Sequence, residues 1–267
     1  MGVRISLPLL KKSGLCNLTF VLLAVAMILM YHNVDEKAGF NTVSAEDFAR
    51  QLLFVQQHWQ LTDMDTYLRG CRTNPRLATV TFDDAYSCII TQVLPIIQEL
   101  DIPIMVFVPV SYVGKYNEWD KNLSGYERIN ILSWNEIERL SQDSHITFGS
   151  HGMSHISLKN LSKSQTESEL RESKEILEQH LKKQVQCFAF PFGQRKDFGC
   201  ATPNLLYEAG YKMAVTTLWR RHNLNENPYC LHRVEVKPTD SMEDFQCYLK
   251  RKIDFRLIKQ EIKNLIR

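Results

Sequence analysis

The chain has 267 residues, 44% of them hydrophobic, so it is long enough to form one large α/β domain around a full core. Its net charge of +2 provides no strong basic field, which argues against nucleic acid as a partner. The seven cysteines are scattered without a CxxC pair, a pattern that favours free thiols over a disulfide framework or a zinc–cysteine site.

Residues 1–26 are a candidate signal or membrane-anchor segment. Basic residues precede an apolar run over residues 18–30, and Ala24-Val25-Ala26 resembles a signal-peptidase site. The run is short for a membrane span, which needs about 20 apolar residues. Its end, Met27–Tyr31, also predicts a first strand. We slightly favour an exported or membrane-associated protein, with a cytoplasmic location as the alternative.

Downstream of this segment, apolar runs alternate with amphipathic patterns. Continuously apolar runs predict buried parallel strands, and apolar residues at helical spacing after a serine predict helices. The predicted strands are residues 27–31, 77–82, 104–109, 146–149, 185–190, 211–217 and 233–236. The predicted helices begin at residues 44, 87, 133, 164 and 204. Pro95 is expected to kink the second helix, and Ser164 with Glu167 to cap the fourth.

About seven strands alternating with helices imply parallel β-α-β units and a barrel-like sheet. The sequence therefore predicts a single α/β domain over residues 27–240, followed by a basic amphipathic helix over residues 241–267. The apolar stripe of this helix comprises Phe255, Ile258, Ile262 and Leu265. Such a helix can lie on an anionic membrane as a peripheral contact, or it can pack on the barrel.

Polar side chains follow several of the predicted strands. His32 follows the first strand, Asp83 and Asp84 follow the second, and His151 comes at the end of the fourth. Because active groups in barrel sheets collect at the carboxyl ends of the strands, we expect these side chains to share one site. One carboxylate of the adjacent pair can bind a metal while the other acts on a water molecule.

His151 and His155 are spaced to act as metal ligands. Residues four apart share a face of a helix or tight turn, and imidazole nitrogen is a common ligand. With Asp84 they form an Asp/His/His set with open positions, which suits a catalytic zinc or another divalent cation. Taken alone, each motif also has a purely structural interpretation. The two histidines could be ordinary surface or core residues, and Asp83 with Asp84 could cap a helix.

Three motifs follow one another along the chain: Thr81-Phe-Asp-Asp-Ala-Tyr86, Ser150-His-Gly-Met-Ser-His155 and Phe190-Pro-Phe-Gly193. As an ordered set they resemble the motifs of the polysaccharide deacetylases, carbohydrate esterase family 4, also called the NodB-homology domain. The opening Met30-Tyr-His-Asn-Val34 is similar to the branch that contains the biofilm poly-N-acetylglucosamine deacetylases. The resemblance runs from about residue 27 to 236 and implies a distorted (β/α)7 barrel, a TIM-like fold.

The resemblance also implies roles for individual residues. Asp83 would be the general base, His32 the general acid, and the backbone N–H of Phe192 part of an oxyanion hole. The implied cation is a divalent metal, with zinc as the first choice and cobalt, nickel or iron as the alternatives. Its ligands would be Asp84, His151 and His155.

The chain departs from the family pattern in two places near the base. Ala85 stands where many members have glycine, and the arginine usually found upstream of the third motif is missing. That arginine often holds the base, so we expect Arg233 to replace it. A histidine motif near the end of the domain is not clearly present, and we therefore favour His32 over His232 as the acid.

The implied activity is a metal-dependent hydrolysis that removes N-acetyl groups from an amino-sugar-containing glycan, performed by a monomer. The partner would be an N-acetylated oligo- or polysaccharide. O-deacetylation, or carbohydrate binding without catalysis, are the alternatives. The residues expected to contact the sugar are Tyr31, Trp119, Pro191 and Phe192.

Overall fold

The computed structural model describes residues 25–224 and 226–250. Its strands are β1 (Met27–Tyr31), β2 (Asn33–Asp35), β3 (Thr42–Ser44), β4 (Gln60–Leu61), β5 (Leu77–Phe82), β6 (Ile104–Val108), β7 (Ile146–Ser150), β8 (Cys187–Ala189), β9 (Met213–Trp219) and β10 (Leu231–Glu235). Its α-helices are α1 (Ala45–His58), α2 (Met64–Gly70), α3 (Leu94–Leu100), α4 (Trp134–Leu140), α5 (Lys163–Leu181), α6 (Thr202–Glu208) and α7 (Met242–Lys250).

Seven parallel strands close into a barrel. The order around it is β1-β10-β9-β8-β7-β6-β5, and β1 pairs with β5 to complete the ring. Strand β4 extends the sheet beside β5, and β2 pairs with β3 separately. The register between β9 and β10 shifts near Arg233, which distorts the barrel at that point. The predicted single-domain, distorted (β/α)7 barrel is confirmed.

Successive side chains of each strand alternate between two apolar layers. Along β1, Met27, Leu29 and Tyr31 belong to the larger core cluster, which includes Phe48 of α1, whereas Ile28 belongs to a smaller cluster. This alternation follows from the two-residue repeat of a strand. It places Met30 and His32 on the side of the barrel opening, where both line a pocket.

Two local predictions are wrong. The cap of α5 is Ser162 with Gln165, two residues before the predicted Ser164 and Glu167, because both pairs fit the capping-box spacing and only one begins the helix. Pro95 does not lie within a continuous α-helix, as the second prediction required. It lies in the first turn of α3, where its missing N–H is tolerated, and a π-helix, Ile89–Val93, precedes it.

The sequence analysis did not predict the seven-residue helix α2 or three of the short strands. Strands β2, β3 and β4 have two or three residues each, too few for an alternating pattern to appear. Residues 1–24 and 251–267, on which the anchor segment and the apolar stripe fall, lie outside the described residues. None of the described helices is long and apolar enough to cross a membrane.

The residues just before β1 are fixed to the barrel. The Nε1 of Trp59 donates to the Val25 carbonyl at 3.1 Å, and the Tyr67 hydroxyl donates to the Ala26 carbonyl at 3.3 Å. Ala26 and Met27 are buried. Cleavage after Ala26 would therefore remove both acceptors and place a new ammonium group at a buried position of the sheet.

We predict that a chain beginning at Met27 is less stable than one beginning at Leu23. Two lost hydrogen bonds at about 1 kcal/mol each, with a partly buried charge, should lower the free energy of unfolding by about 3–5 kcal/mol. Urea denaturation of the two purified proteins measures the difference. Equal midpoints would show that Val25 and Ala26 are not part of the folded domain.

Candidate active site

The carboxylate pair lies where β5 ends. Asp83 and Asp84 follow Phe82, and both are buried. Asp84 has a φ of 68° and Ala85 a φ of 50°, so two consecutive residues occupy the left-handed region. This turn redirects the chain after the strand, and both carboxylates line the same pocket. Glycine adopts a positive φ more readily than alanine does. This gives a physical reason for the glycine that the family resemblance leads one to expect at position 85.

Arg233 of β10 holds Asp83. Its Nη1 and Nη2 donate to Oδ1 and Oδ2 of Asp83, each at 2.7 Å, and the guanidinium is completely buried. Its Nε donates to the Thr216 carbonyl at 2.9 Å, and Nη1 also reaches the Thr81 hydroxyl at 3.2 Å. Burial works against the charge of Asp83, but the adjacent guanidinium holds its pKa below the ordinary value. The structure thus places Arg233 where the sequence analysis expected it.

Asp84, His151 and His155 bring three ligand atoms together within 4.8 Å of one another. The Asp84 Oδ1 lies 3.2 Å from Nε2 of His155 and 3.5 Å from Nε2 of His151. The Nδ1 of His151 is 2.8 Å from the Ala189 carbonyl, to which it can only donate, so Nε2 is left with its lone pair toward Asp84. Burial lowers the pKa of His151 to about 4, which keeps the imidazole neutral near pH 7.

These residues fit a divalent cation. Asp84 Oδ1 is buried and has no hydrogen-bond partner among the described residues, a costly arrangement unless something else satisfies it. Burial opposes the charge on Asp84, but contact with His155 and the nearby His151 lower its pKa, so the carboxylate is ionised. One carboxylate and two neutral imidazoles with open positions suit a catalytic metal, as in known zinc hydrolases.

Glu169 of α5 supports the loop that bears His155. Its Oε2 accepts hydrogen bonds from the backbone N–H groups of Met153 and Ser154, at 2.9 and 3.0 Å. His155 itself has a φ of 49°, so the loop needs outside support to keep this conformation. The sequence analysis missed Glu169, because a glutamate on an amphipathic helix resembles an ordinary surface residue.

A pocket of about 220 Å³ opens above these groups. His32 lines it, together with Trp119 and Phe192. The Trp119 ring stacks on His155 with ring centres 4.0 Å apart, and the Phe192 ring makes an edge-on contact with His155 at 5.1 Å between ring centres. Phe192 is 46% exposed, so it offers an open apolar surface at the mouth. Three of the predicted residues therefore surround the metal-ligand set.

Two residues predicted to contact the sugar do not line this pocket. Tyr31 is completely buried on the helix-facing side of β1, where its hydroxyl donates to Gln51 of α1 at 3.0 Å. The alternation of strand side chains makes this unavoidable once His32 points to the opening. Pro191 is buried and is not among the residues that line the pocket. Both predictions are therefore corrected.

His232 also lies away from the pocket, with its backbone bonded to Asn223.

The turn after β8 is fixed by contacts with β9. The Thr217 hydroxyl donates to the Phe192 carbonyl at 2.6 Å, and the Thr217 N–H donates to the Gly193 carbonyl at 3.1 Å. Gly193 has a φ of 61°, and a Cβ there would lie 2.7 Å from the Thr217 nitrogen. Only glycine fits, and this close approach holds Phe192 in place, itself at a φ of 59°.

We predict that Glu169→Ala weakens zinc binding. Loss of the carboxylate frees the Met153 and Ser154 N–H groups and loosens the loop of His155, so affinity should fall about 10–100-fold. Glu169→Gln keeps an acceptor oxygen and should lose less. Isothermal titration with Zn²⁺ measures the effect, with exposed Glu175→Ala on the same helix as the control. Wild-type affinity in Glu169→Ala would contradict the supporting role.

Comparisons with known proteins identify the family to which the chain belongs. The sequence profile described as polysaccharide deacetylase matches residues 71–214. The Bacillus subtilis protein YxkH, whose name describes it as a polysaccharide deacetylase, is 23% identical to this chain. The match covers 84% of this chain and 75% of YxkH. The Streptococcus pyogenes deacetylase PplD has a similar fold, with a TM-score of 0.69 and 20% identity over 83% of this chain and 96% of its own. IcaB from Ammonifex degensii gives a TM-score of 0.70 at 20% identity, covering 85% and 98%. This chain belongs to the polysaccharide deacetylase family.

Proposed function

We propose that this protein is a metal-dependent hydrolase that removes N-acetyl groups from an amino-sugar-containing glycan. The main support is one observation: an ionised, arginine-held Asp83 lies beside the Asp84, His151 and His155 ligand set in a single pocket. Family membership supports deacetylation of a polysaccharide. The choice of an N-linked acetyl group, and of zinc as the cation, goes beyond that support and belongs to the proposal.

Asp84, His151 and His155 would hold the cation, which supplies Lewis acidity that activates a water molecule and polarises the acetyl carbonyl. Asp83 then accepts the proton of the water. Its two oxygens each receive one hydrogen bond from Arg233, yet a carboxylate has about four acceptor sites, so it retains capacity for a further bond. The guanidinium keeps Asp83 ionised, which is the protonation state that a base requires.

The remaining steps need an oxyanion donor and an acid. The Phe192 N–H, held by the turn that Thr217 fixes, would donate to the tetrahedral oxyanion, a type of contact that contributes about 3–4 kcal/mol. His32 lines the pocket and would protonate the departing amine. Trp119 and Phe192 would contact the sugar, with one face of Trp119 already covered by His155.

The substrate branch is a finer proposal. Met30-Tyr-His-Asn-Val34 is similar to the biofilm poly-N-acetylglucosamine branch, and IcaB shares the fold at 20% identity. The motif is what supports a poly-N-acetylglucosamine-like substrate, since a shared fold alone does not specify a glycan. A membrane contact through residues 250–267, attachment through the N-terminal segment and a monomeric state stay predictions of the sequence.

We predict that removal of divalent metal abolishes acetate release from an N-acetylglucosamine oligomer. Dialysis against a chelator should lower the rate to background, and added Zn²⁺ should restore it, because an acetamide is a poor electrophile without a Lewis acid. Enzymatic detection of acetate measures the rate. Unchanged turnover by protein shown to be metal-free would rule out the mechanism.

We predict that Asp83→Asn binds zinc normally but loses about 10²–10⁴-fold in kcat, the usual contribution of a general base. Metal analysis and acetate release are measured on the same sample, with the exposed, surface-paired Asp65→Asn as control. Because the change leaves Arg233 buried without its partner, which is strongly destabilising, the double variant Asp83→Asn/Arg233→Met serves where the single one does not fold. Normal turnover in either variant would exclude Asp83 as the base.

A further inference from the structure

A third carboxylate, which neither the ligand set nor the mechanism uses, lies at the same pocket. Asp120 ends a short 3-10 helix, Glu118–Asp120, in the loop between β6 and α4. It is only 6% exposed, and it lines the pocket next to Asp84. The loop is closed behind it by Asn117, which bonds Glu127 and Ile129 at 3.0 and 2.8 Å. Asp120 is therefore held firmly, with its remaining accessible surface on the pocket.

Among the described residues, no lysine, arginine or histidine forms an ion pair with Asp120, although the nearby His155 and His32 and the Asn117 side chain favour its charged form. Burial, and then the negative charge of Asp84, raise the pKa of Asp120 above its ordinary value. By contrast, Asp83 has Arg233. Asp120 is thus a largely buried carboxylate that lines the pocket, and its remaining acceptor sites are available to a ligand there.

Apart from three histidines, the ionisable side chains that line the pocket are all acidic. Four carboxylates line it, those of Asp83, Asp84, Asp120 and Glu235, and no lysine or arginine is among the described lining residues. Arg233, beneath Asp83, neutralises one of the four. Lys237 lies 3.7 Å from Glu235 at the rim. With a divalent cation bound, these charges would balance in sum, but no cationic side chain pairs with Asp120 itself, so an anionic substituent placed beside Asp120 would meet that carboxylate at short range.

We propose that Asp120 is a specificity-determining residue that accepts a hydrogen bond from a hydroxyl or amine of the bound sugar and disfavours sugars that carry a carboxylate or phosphate. The preferred substrate class is then a glycan of neutral N-acetylhexosamines, partly deacetylated stretches included. This inference rests on the proposed deacetylase function for its sugar substrate. It concerns recognition, so it can be tested by binding as well as by turnover.

The test compares two oligosaccharides of equal length, one of N-acetylglucosamine alone and one in which alternate sugars bear a lactyl carboxylate. Full-length wild type, Asp120→Asn and Asp120→Ala are measured against exposed Glu118→Gln, a control from the same loop. Isothermal titration gives binding to metal-free protein, and acetate release gives kcat/KM with Zn²⁺. Zinc content is determined for every variant.

Wild type and Glu118→Gln should prefer the neutral oligomer, and Asp120→Asn should reduce that preference about tenfold, with zinc content unchanged. An unchanged preference in both Asp120 variants would overturn the proposal, as would failure of wild type to bind either oligomer. Loss of zinc from Asp120→Asn would instead make Asp120 a metal ligand and also overturn it. If binding shifts as expected but no protein releases acetate, the deacetylase function fails while the recognition role stands.

Discussion

The buried ion pair between Asp83 and Arg233 is the interaction on which the rest of the site depends. Taking two charges out of water costs several kcal/mol per ion, which is recovered only where the geometry is good and the other donors are satisfied. Here the pair is bidentate, and Arg233 also bonds Thr216 and Thr81. One guanidinium therefore connects β5, β9 and β10 inside the barrel, and fixes the base relative to the ligand that follows it in sequence.

Around this pair, the ligand set is built from backbone that would not adopt its conformation unaided. Asp84, Ala85 and His155 all have positive φ, and residues in this region cost of order 1–3 kcal/mol each. The neighbouring strands, the Glu169 carboxylate and the Trp119 ring that stacks on His155 oppose that cost. The packing of the barrel core thus offsets the conformational free energy that these strained turns cost. The turns in return position the side chains of Asp84 and His155.

The sequence predicted those features that leave a local pattern or follow a strand. Long apolar runs located the seven barrel strands, and the residues after them located Asp83, Asp84 and His151. Arg233 was predicted only because the usual arginine was missing. Asp120 and Glu169 could not be predicted, because one lies in a loop without periodicity and the other on a helix face with many similar acids. Tyr31 was assigned to the wrong face, although the two-residue alternation of β1 separates it from His32.

Two buried carboxylates in the pocket, Asp84 and Asp120, leave acceptor atoms that a ligand could bond. Asp84 Oδ1 has no hydrogen-bond partner among the described residues, and Asp120 has no ion-pair partner among them. Both are buried, so a ligand that bonded either carboxylate would offset part of its desolvation cost. Under the proposals above, a cation between Asp84 and the two histidines would do this for the first, and a donor on the sugar would do it for the second. Because only the folded state can bind either one, each ligand should stabilise the fold, and the cation should lessen the repulsion that Asp84 exerts on Asp120.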